Sequence, residues 1–238
     1  MSEAPARERL EQLAERFGLP PGAPEQLERL LDLVASDPLA PTTVRDPAVA
    51  VDAHVADALV ALDLEPVRAA RRIADLGSGA GFPGLVLAAA LPQAEMSLVE
   101  SARRKCAFLE RAIAATGLGN VTVVCERAEA WTAGLGAQDV VTVRALASLN
   151  VLVEYAAPLL RDDGALIAWK GRRDEREEAD AAAAAAQTGL ERTEIRPVQP
   201  WSGAEHLHLH LYSKVGQTPN RFPRRPGIAS KRPLQASS

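Results

Sequence analysis

The stretch Ile73-Ala74-Asp75-Leu76-Gly77-Ser78-Gly79-Ala80-Gly81-Phe82-Pro83-Gly84 constrains this chain more than any other. Ile73, Ala74 and Leu76 around an acid predict a strand. The glycines that follow predict a tight turn, and the apolar run from Pro83 predicts a helix. Glycine has no Cβ and accepts positive φ, so such a turn lets a ligand reach bare backbone. The following helix points free N–H groups and its positive dipole end at the same spot. Strand, turn and helix together predict a site for a nucleoside-bearing cofactor.

Which cofactor depends on register. Gly79, Gly81 and Gly84 match G-x-G-x-x-G, a dinucleotide fingerprint that should begin directly after its strand. The strand ends at Leu76, so the first turn glycine is Gly77, and the third position counted from there is Phe82. The run Asp75-Leu76-Gly77-Ser78-Gly79-Ala80-Gly81 instead resembles the first motif of S-adenosylmethionine-dependent methyltransferases. Phe82 breaks the dinucleotide pattern and is expected to line the pocket. An acid at the end of the next strand should hold ribose hydroxyls. Glu100, 23 residues beyond Gly77, closes Met96-Ser97-Leu98-Val99-Glu100. After the third strand comes Arg127-Ala128-Glu129. Ala128 is small enough to admit an adenine ring, and Glu129 can meet its polar edge; a plain acidic helix start is the alternative.

The order of elements fits. Strands are predicted at 72–76, 96–100, 121–126, 139–143 and 165–169, with helices at 83–91, 102–116, 149–160 and 174–188. Alternation of this kind predicts a parallel sheet covered on both faces. Two further strands, near 193–198 and 206–214, lack a helix between them and fit an antiparallel hairpin at the sheet edge. The fold expected is therefore α/β, a Rossmann-like, mostly parallel seven-stranded sheet on the class I methyltransferase plan. Apolar residues at three- and four-residue spacing predict N-terminal helices over residues 1–65. Asp46-Pro47 starts one that should run to about Leu62, with Val51, Val55, Leu59 and Leu62 as its inner stripe. Domain organisation reads as helices over 1–65, the methyltransferase unit over 66–214 and a tail over 215–238. The Ala181–Ala186 run, behind Asp174, Glu175, Glu177 and Glu178, reads as a solvent-facing spacer helix.

Charge is unevenly spread. The chain carries 27 Lys/Arg against 31 Asp/Glu, a net of −4. From His206 onward there are six basic residues (Lys214, Arg221, Arg224, Arg225, Lys231, Arg232) and no acid, which leaves −10 on the rest. A basic, proline-punctuated tail on an acidic body predicts phosphate tracking, with Arg221, Arg224, Arg225 and Lys231 on RNA and only partial order without it. A disordered solubilising tail is the alternative. No apolar run suits a membrane span and the N-terminus lacks a signal-peptide pattern. Cys106 and Cys125 offer neither a disulfide framework nor metal spacing, and are read as buried, reduced thiols of a cytoplasmic protein. His206, His208 and His210 alternate along the last strand with no accompanying ligands, so no metal is expected. Nothing demands an oligomer.

Several elements together are similar to one family. They are Asp75–Gly84 with Phe82-Pro83-Gly84; Glu100-Ser101 before Arg103, Arg104 and Lys105; Arg127-Ala128-Glu129; Arg144-Ala145-Leu146-Ala147-Ser148-Leu149; and Lys170-Gly171. They resemble the RsmG (GidB) family over about residues 36 to 233, with Arg-Ala-x-Ala-Ser-Leu the most specific element. A family pattern of basic-His-x-x-Asp-Ser survives here as His54 and Asp57, with Ala53 and Ala58 at its basic and serine positions. The resemblance implies S-adenosylmethionine as cofactor and transfer of its methyl group to N7 of a guanine in 16S ribosomal RNA, free or in the small subunit. It implies that Arg144 contacts the cofactor, clamping the methionine carboxylate or holding a carboxylate that does so. Lys170 lies on the same rim and suits an RNA phosphate or guanine O6. N7 carries a lone pair and no proton, so no catalytic base is expected. A methyltransferase acting on another RNA, a protein or a small molecule, and a non-catalytic RNA-binding assembly protein, are the competing readings.

Overall fold

The computed structural model describes residues 4–236. Helices α1 (Ala4–Phe17) and α2 (Ala23–Ser36) pack together at the N-terminus. Next comes α3 (Pro47–Ala50), capped by the Asp46 carboxylate, which accepts from Ala48 N. The expected helix from Asp46 to about Leu62 is formed, but it is not regular α-helix throughout. After α3 the chain widens into a π-helical turn (Val51–Ala56), returns to α in α4 (Asp57–Leu59) and tightens into a 3₁₀ turn (Val60–Asp63). A short α5 (Glu65–Ala69) leads into the sheet.

Strands β1 (Arg72–Leu76), β2 (Glu95–Val99), β3 (Val121–Val124), β4 (Gln138–Arg144) and β5 (Leu160–Lys170) run parallel. Helices α6 (Gly84–Ala90), α7 (Arg103–Thr116) and α8 (Leu149–Ala156) lie between them. After α9 (Glu175–Thr188), β6 (Leu190–Val198) and β7 (Leu207–Lys214) form the antiparallel hairpin, and β7 also pairs antiparallel with β5. The order β3-β2-β1-β4-β5-β7-β6 reverses direction between β1 and β4. In open α/β sheets, ligands bind at the carboxyl ends of strands at such a switch point.

Strand side chains alternate between two cores. Ile73, Met96, Leu98, Val140 and Ile167 meet α6, α7 and the N-terminal helices in one continuous cluster that begins at Leu10. No break in packing separates those helices from the sheet. Ala74, Leu76, Val141, Val143 and Leu166 meet α8 and α9 on the other face. The alanine run of α9 belongs to that second core. Ala181, Ala184 and Ala185 are buried, because their small side chains let α9 pack tightly on α8. The solvent-facing reading of this helix is corrected: only one face is exposed.

The cysteine reading is also corrected. Cys106 on α7 and Cys125 after β3 form a disulfide, with Cα atoms 5.9 Å apart. Cys106 is buried, while Cys125 is exposed. The parallel arrangement sets the end of β3 beside the start of α7, an adjacency invisible in a 19-residue sequence separation.

The tail packs against the protein rather than standing free. Phe222 and Ala229 are buried, and α10 (Ile228–Lys231) lies against α8. Arg224 makes a two-pronged ion pair with Glu154 of α8, which is 2% exposed; its Nε lies 2.6 Å from Oε1. Asn150 donates to the Leu234 carbonyl at 2.6 Å. The expectation of partial order does not hold for this segment, because its anchors are specific and mostly buried.

Candidate active site

The turn after β1 is built from beneath by Asp75. This carboxylate is buried; Oδ2 accepts from Gly84 N at 3.3 Å and Oδ1 from Thr142 Oγ1 at 3.1 Å. Ser78 Oγ donates to the Asp75 carbonyl at 2.8 Å. Burial pushes the Asp75 pKa up to about 6, against these hydrogen bonds. Asp75 therefore braces the turn rather than lining the pocket. Above it, Gly77 and Gly79 have φ of +70° and +57°. A Cβ on Gly77 would sit 2.7 Å from Leu146 Cδ1, so this glycine keeps open the gap between the turn and the loop after β4.

Beside the turn lies a pocket of about 170 Å³. Its walls include Gly77, Val99 and Glu100 from β1 and β2, Ala128 and Glu129 from the loop after β3, and Leu146 from the loop after β4. Glu100 accepts from Gly79 N at 3.3 Å and Ala102 N at 2.9 Å, with Lys105 Nζ 3.7 Å away. A carboxylate at the mouth, a bare-backbone turn at one side and apolar walls from Val99 and Leu146 suit an adenosyl group. The Glu100 and Glu129 carboxylates line it as hydrogen-bond acceptors, the groups that ribose hydroxyls and an adenine amine call for. Tyr155 of α8 and Ser230 of the tail complete the pocket. Neither carries a signal in sequence, since only tertiary packing brings them there.

A second pocket, of about 270 Å³, adjoins the first at Ala147. It is lined by Asp57, Arg144, Trp169, Lys170 and Leu207, among others. Arg144 leaves the end of β4 and turns toward the N-terminal helices. Its Nη1 donates to Asp57 Oδ2 at 2.7 Å and to the Ala53 carbonyl at 3.2 Å. The π turn makes the second bond available. Asp57 N donates to the Asp52 carbonyl, one residue further back than an α-helix would use. Ala53 O is thereby released to Arg144. Widened turns of this type recur at functional sites.

His54 belongs to the same cluster. Its ring stacks on Phe82 with centroids 4.3 Å apart, and the Arg144 guanidinium lies 5.7 Å from the Phe82 centroid. Nε2 faces the Val44 carbonyl at 3.2 Å, so it carries the proton, and Nδ1 faces Arg144 Nη2 at 3.4 Å as an acceptor. Burial, helped by Arg144, lowers the His54 pKa to about 4, which keeps the ring neutral. Burial raises the Asp57 pKa while Arg144 pulls it back. Phe82 thus separates the glycine turn from the Arg144 cluster instead of lining the first pocket. Across the second pocket, Lys170 donates to Glu177 Oε1 at 2.7 Å, and the indole of Trp169 donates to the Asp57 carbonyl at 2.9 Å.

Arg221, Arg225 and Lys231 are exposed on the tail, whereas Arg224 is occupied by Glu154. On β7, His208 faces the Gly171 carbonyl and His210 is buried, its pKa lowered to about 4 by desolvation. Among the described residues no cluster of His, Cys, Asp or Glu is placed to hold a metal, and no helix is long and apolar enough to cross a membrane.

A seven-stranded sheet of this order, with a glycine turn and an acid at the ends of adjacent parallel strands, defines an S-adenosylmethionine-dependent methyltransferase. Solved structures share the fold. An Aeropyrum pernix fibrillarin with natively bound S-adenosyl-L-methionine aligns with a TM-score of 0.52 and 20% identity, over 66% of this chain and 73% of that one. A 16S rRNA (adenine(1408)-N(1))-methyltransferase variant from Catenulisporales acidiphilia aligns with a TM-score of 0.52 and 17% identity, over 65% and 89%. The family follows from sequence. The GidB family model, rRNA small subunit methyltransferase G, matches residues 25–206, and the chain belongs to that family. A Ribosomal RNA small subunit methyltransferase G of Rubrobacter xylanophilus is 41% identical over 197 residues, 80% of this chain and 76% of that protein. One from Chloroflexus aggregans is 40% identical over 215 residues, 88% and 89% respectively. The cofactor is S-adenosylmethionine.

Proposed function

We propose that this chain transfers the methyl group of S-adenosylmethionine to N7 of a guanine in 16S ribosomal RNA. The names carried by the family and by its relatives support ribosomal RNA as the substrate. One observation carries the reading: the second pocket meets the first at Ala147 and presents Arg144 and Lys170 beside Trp169. Guanine shows two acceptors on its major-groove edge, N7 and O6. A pocket lined by Arg144 and Lys170 offers N–H donors to that edge, with Lys170 on O6 or on a neighbouring phosphate.

Bound S-adenosylmethionine supplies an electrophilic methyl carbon. The chain must align it with N7 and needs to remove no proton from the acceptor. The cluster fits that task. His54 is neutral with both ring nitrogens engaged, and Asp57 is tied to Arg144. Each cation is held by a partner, Arg144 by Asp57 and Lys170 by Glu177, so both are fixed before RNA arrives. Such pre-positioning is a principal source of rate acceleration when no proton moves. Exposed Arg221, Arg225 and Lys231 supply phosphate contacts, and Arg224 anchors the segment that bears them.

Transfer of tritium from methyl-labelled S-adenosylmethionine tests the reading. Label should enter small ribosomal subunits or their RNA. Absence of label from both RNA substrates, or equal transfer to a protein or small-molecule acceptor, would refute it.

A further inference from the structure

The cofactor pocket is not closed by the methyltransferase unit alone. One part of its wall is Ser230, 24 residues beyond the last residue matched by the family model. Two hydrogen bonds fasten this part of the tail to the pocket. Gly227 N donates to Glu129 Oε1 at 2.8 Å, and the Tyr155 hydroxyl lies 2.9 Å from Ser230 Oγ. Glu129 and Tyr155 both line the pocket.

The tail is seated so as to hold those two bonds in place. Phe222 and Ala229 are buried on either side of Gly227, Arg224 grips buried Glu154, and the Leu234 carbonyl accepts from Asn150. Gly227 has φ of +80°, which turns the chain so that its N–H faces the loop after β3. Glu129 is half-buried in the pocket wall. Gly227 engages one of its oxygens and leaves the other to accept from a ligand.

We infer that residues 222–234 form a latch over the adenosyl end of the cofactor pocket, with Gly227 positioning Glu129 and Ser230 positioning Tyr155. The inference rests on that pocket being the adenosyl site. It assigns the tail a part in cofactor affinity that needs no RNA. A firmly seated segment that shapes a pocket raises affinity by fixing groups before the ligand arrives. The latch also carries Arg225 and Lys231, so RNA that engages them bears on the same wall.

Titration calorimetry with S-adenosylhomocysteine, without RNA, tests the latch. The full chain, a chain ending at Gln217 and full-length Ser230→Trp are compared, with circular dichroism as the check on folding. Ser230 is exposed, so a bulky residue there keeps the fold while crowding the pocket. The latch predicts at least tenfold weaker binding by the shortened chain and at least fivefold weaker binding by Ser230→Trp. It also predicts slower tryptic cleavage after Arg224 and Lys231 of the full chain when S-adenosylhomocysteine is present. If the shortened chain is unfolded, Ser230→Trp and the cleavage rate decide. Binding by Ser230→Trp within twofold of the full chain, with unchanged cleavage, would overturn the latch while leaving the pocket assignment intact. No binding by the full chain would overturn the pocket assignment and the latch with it.

Discussion

The Asp57–Arg144 pair is the contact on which the shape of the second pocket depends, and it can be weighed directly. Asp57 and Arg144 side chains are 9% and 19% exposed, with 2.7 Å between Oδ2 and Nη1. Removing one partner of a buried pair strands the other charge and costs roughly 3–5 kcal/mol. The partial exposure of Arg144 favours the low end, about 3 kcal/mol for Asp57→Ala and for Arg144→Ala. In a chain of this size that corresponds to a fall in Tm of about 6–12 °C. The double variant leaves no stranded charge and should be no less stable than either single one, a coupling of about 3 kcal/mol. The pH dependence has a definite sign. Burial raises the Asp57 pKa and Arg144 opposes this, so without Arg144 the folded-state pKa rises further. The folded state then holds the proton more tightly than the unfolded chain, so Arg144→Ala loses stability as pH rises through that pKa. Its deficit should be smallest in acid. Urea unfolding followed by circular dichroism at several pH values measures all of this. Asp57→Ala should bind S-adenosylhomocysteine within twofold of the parent, because Asp57 lines only the second pocket. Single-variant losses below about 1 kcal/mol, simply additive in the double variant, would mean that the pair does not stabilise the fold.

Gly77→Ala forces positive φ on a side chain and sets a Cβ 2.7 Å from Leu146, so S-adenosylhomocysteine affinity should fall at least tenfold; calorimetry within twofold of the parent would contradict this. Asp75 has a pKa raised from 3.8 to about 6, so its stabilising contribution is complete below 3.8 and lost as pH rises through about 6. The stability of Asp75→Asn should vary less over that range, and parallel unfolding curves would count against the assignment. The Cys106–Cys125 bridge closes a short loop, for which chain entropy gives about 3 kcal/mol. The oxidised chain should therefore resist iodoacetamide and lose that stability on reduction, with two free thiols before reduction the contrary result.

Much of the fold was legible because sheet and turn patterns are local. Ile73–Leu76 and the glycines after it specify a strand and a turn whatever surrounds them. Strand alternation sufficed for the parallel sheet, and the short segment between β6 and β7 sufficed for the hairpin. The Ala181–Ala186 run was misjudged because composition gives helix propensity but not which face is covered. The π turn at Val51–Ala56 left no trace in a sequence that reads as an ordinary amphipathic helix. It comes with the Arg144 bond to Ala53 O, 91 residues away. Tyr155 and Ser230 were invisible for the same reason: a tyrosine on an apolar helix and a serine in a basic tail acquire a role only when α8 and α10 pack beside the loop after β3. Position in the sequence singles out Asp75, Glu100 and Glu129, and the structure distinguishes them: Asp75 braces the turn, whereas Glu100 and Glu129 face the pocket.

The acceptor atom, guanine N7, is what separates the proposed reaction from other RNA methylations. Small-subunit RNA treated with this protein and S-adenosylmethionine, digested to nucleosides and resolved by mass spectrometry, measures it directly. The expected new product is 7-methylguanosine, absent when Lys170→Ala and Arg144→Ala are combined. A methyl group on adenine, on ribose, or on any guanine atom that must first lose a proton would contradict it.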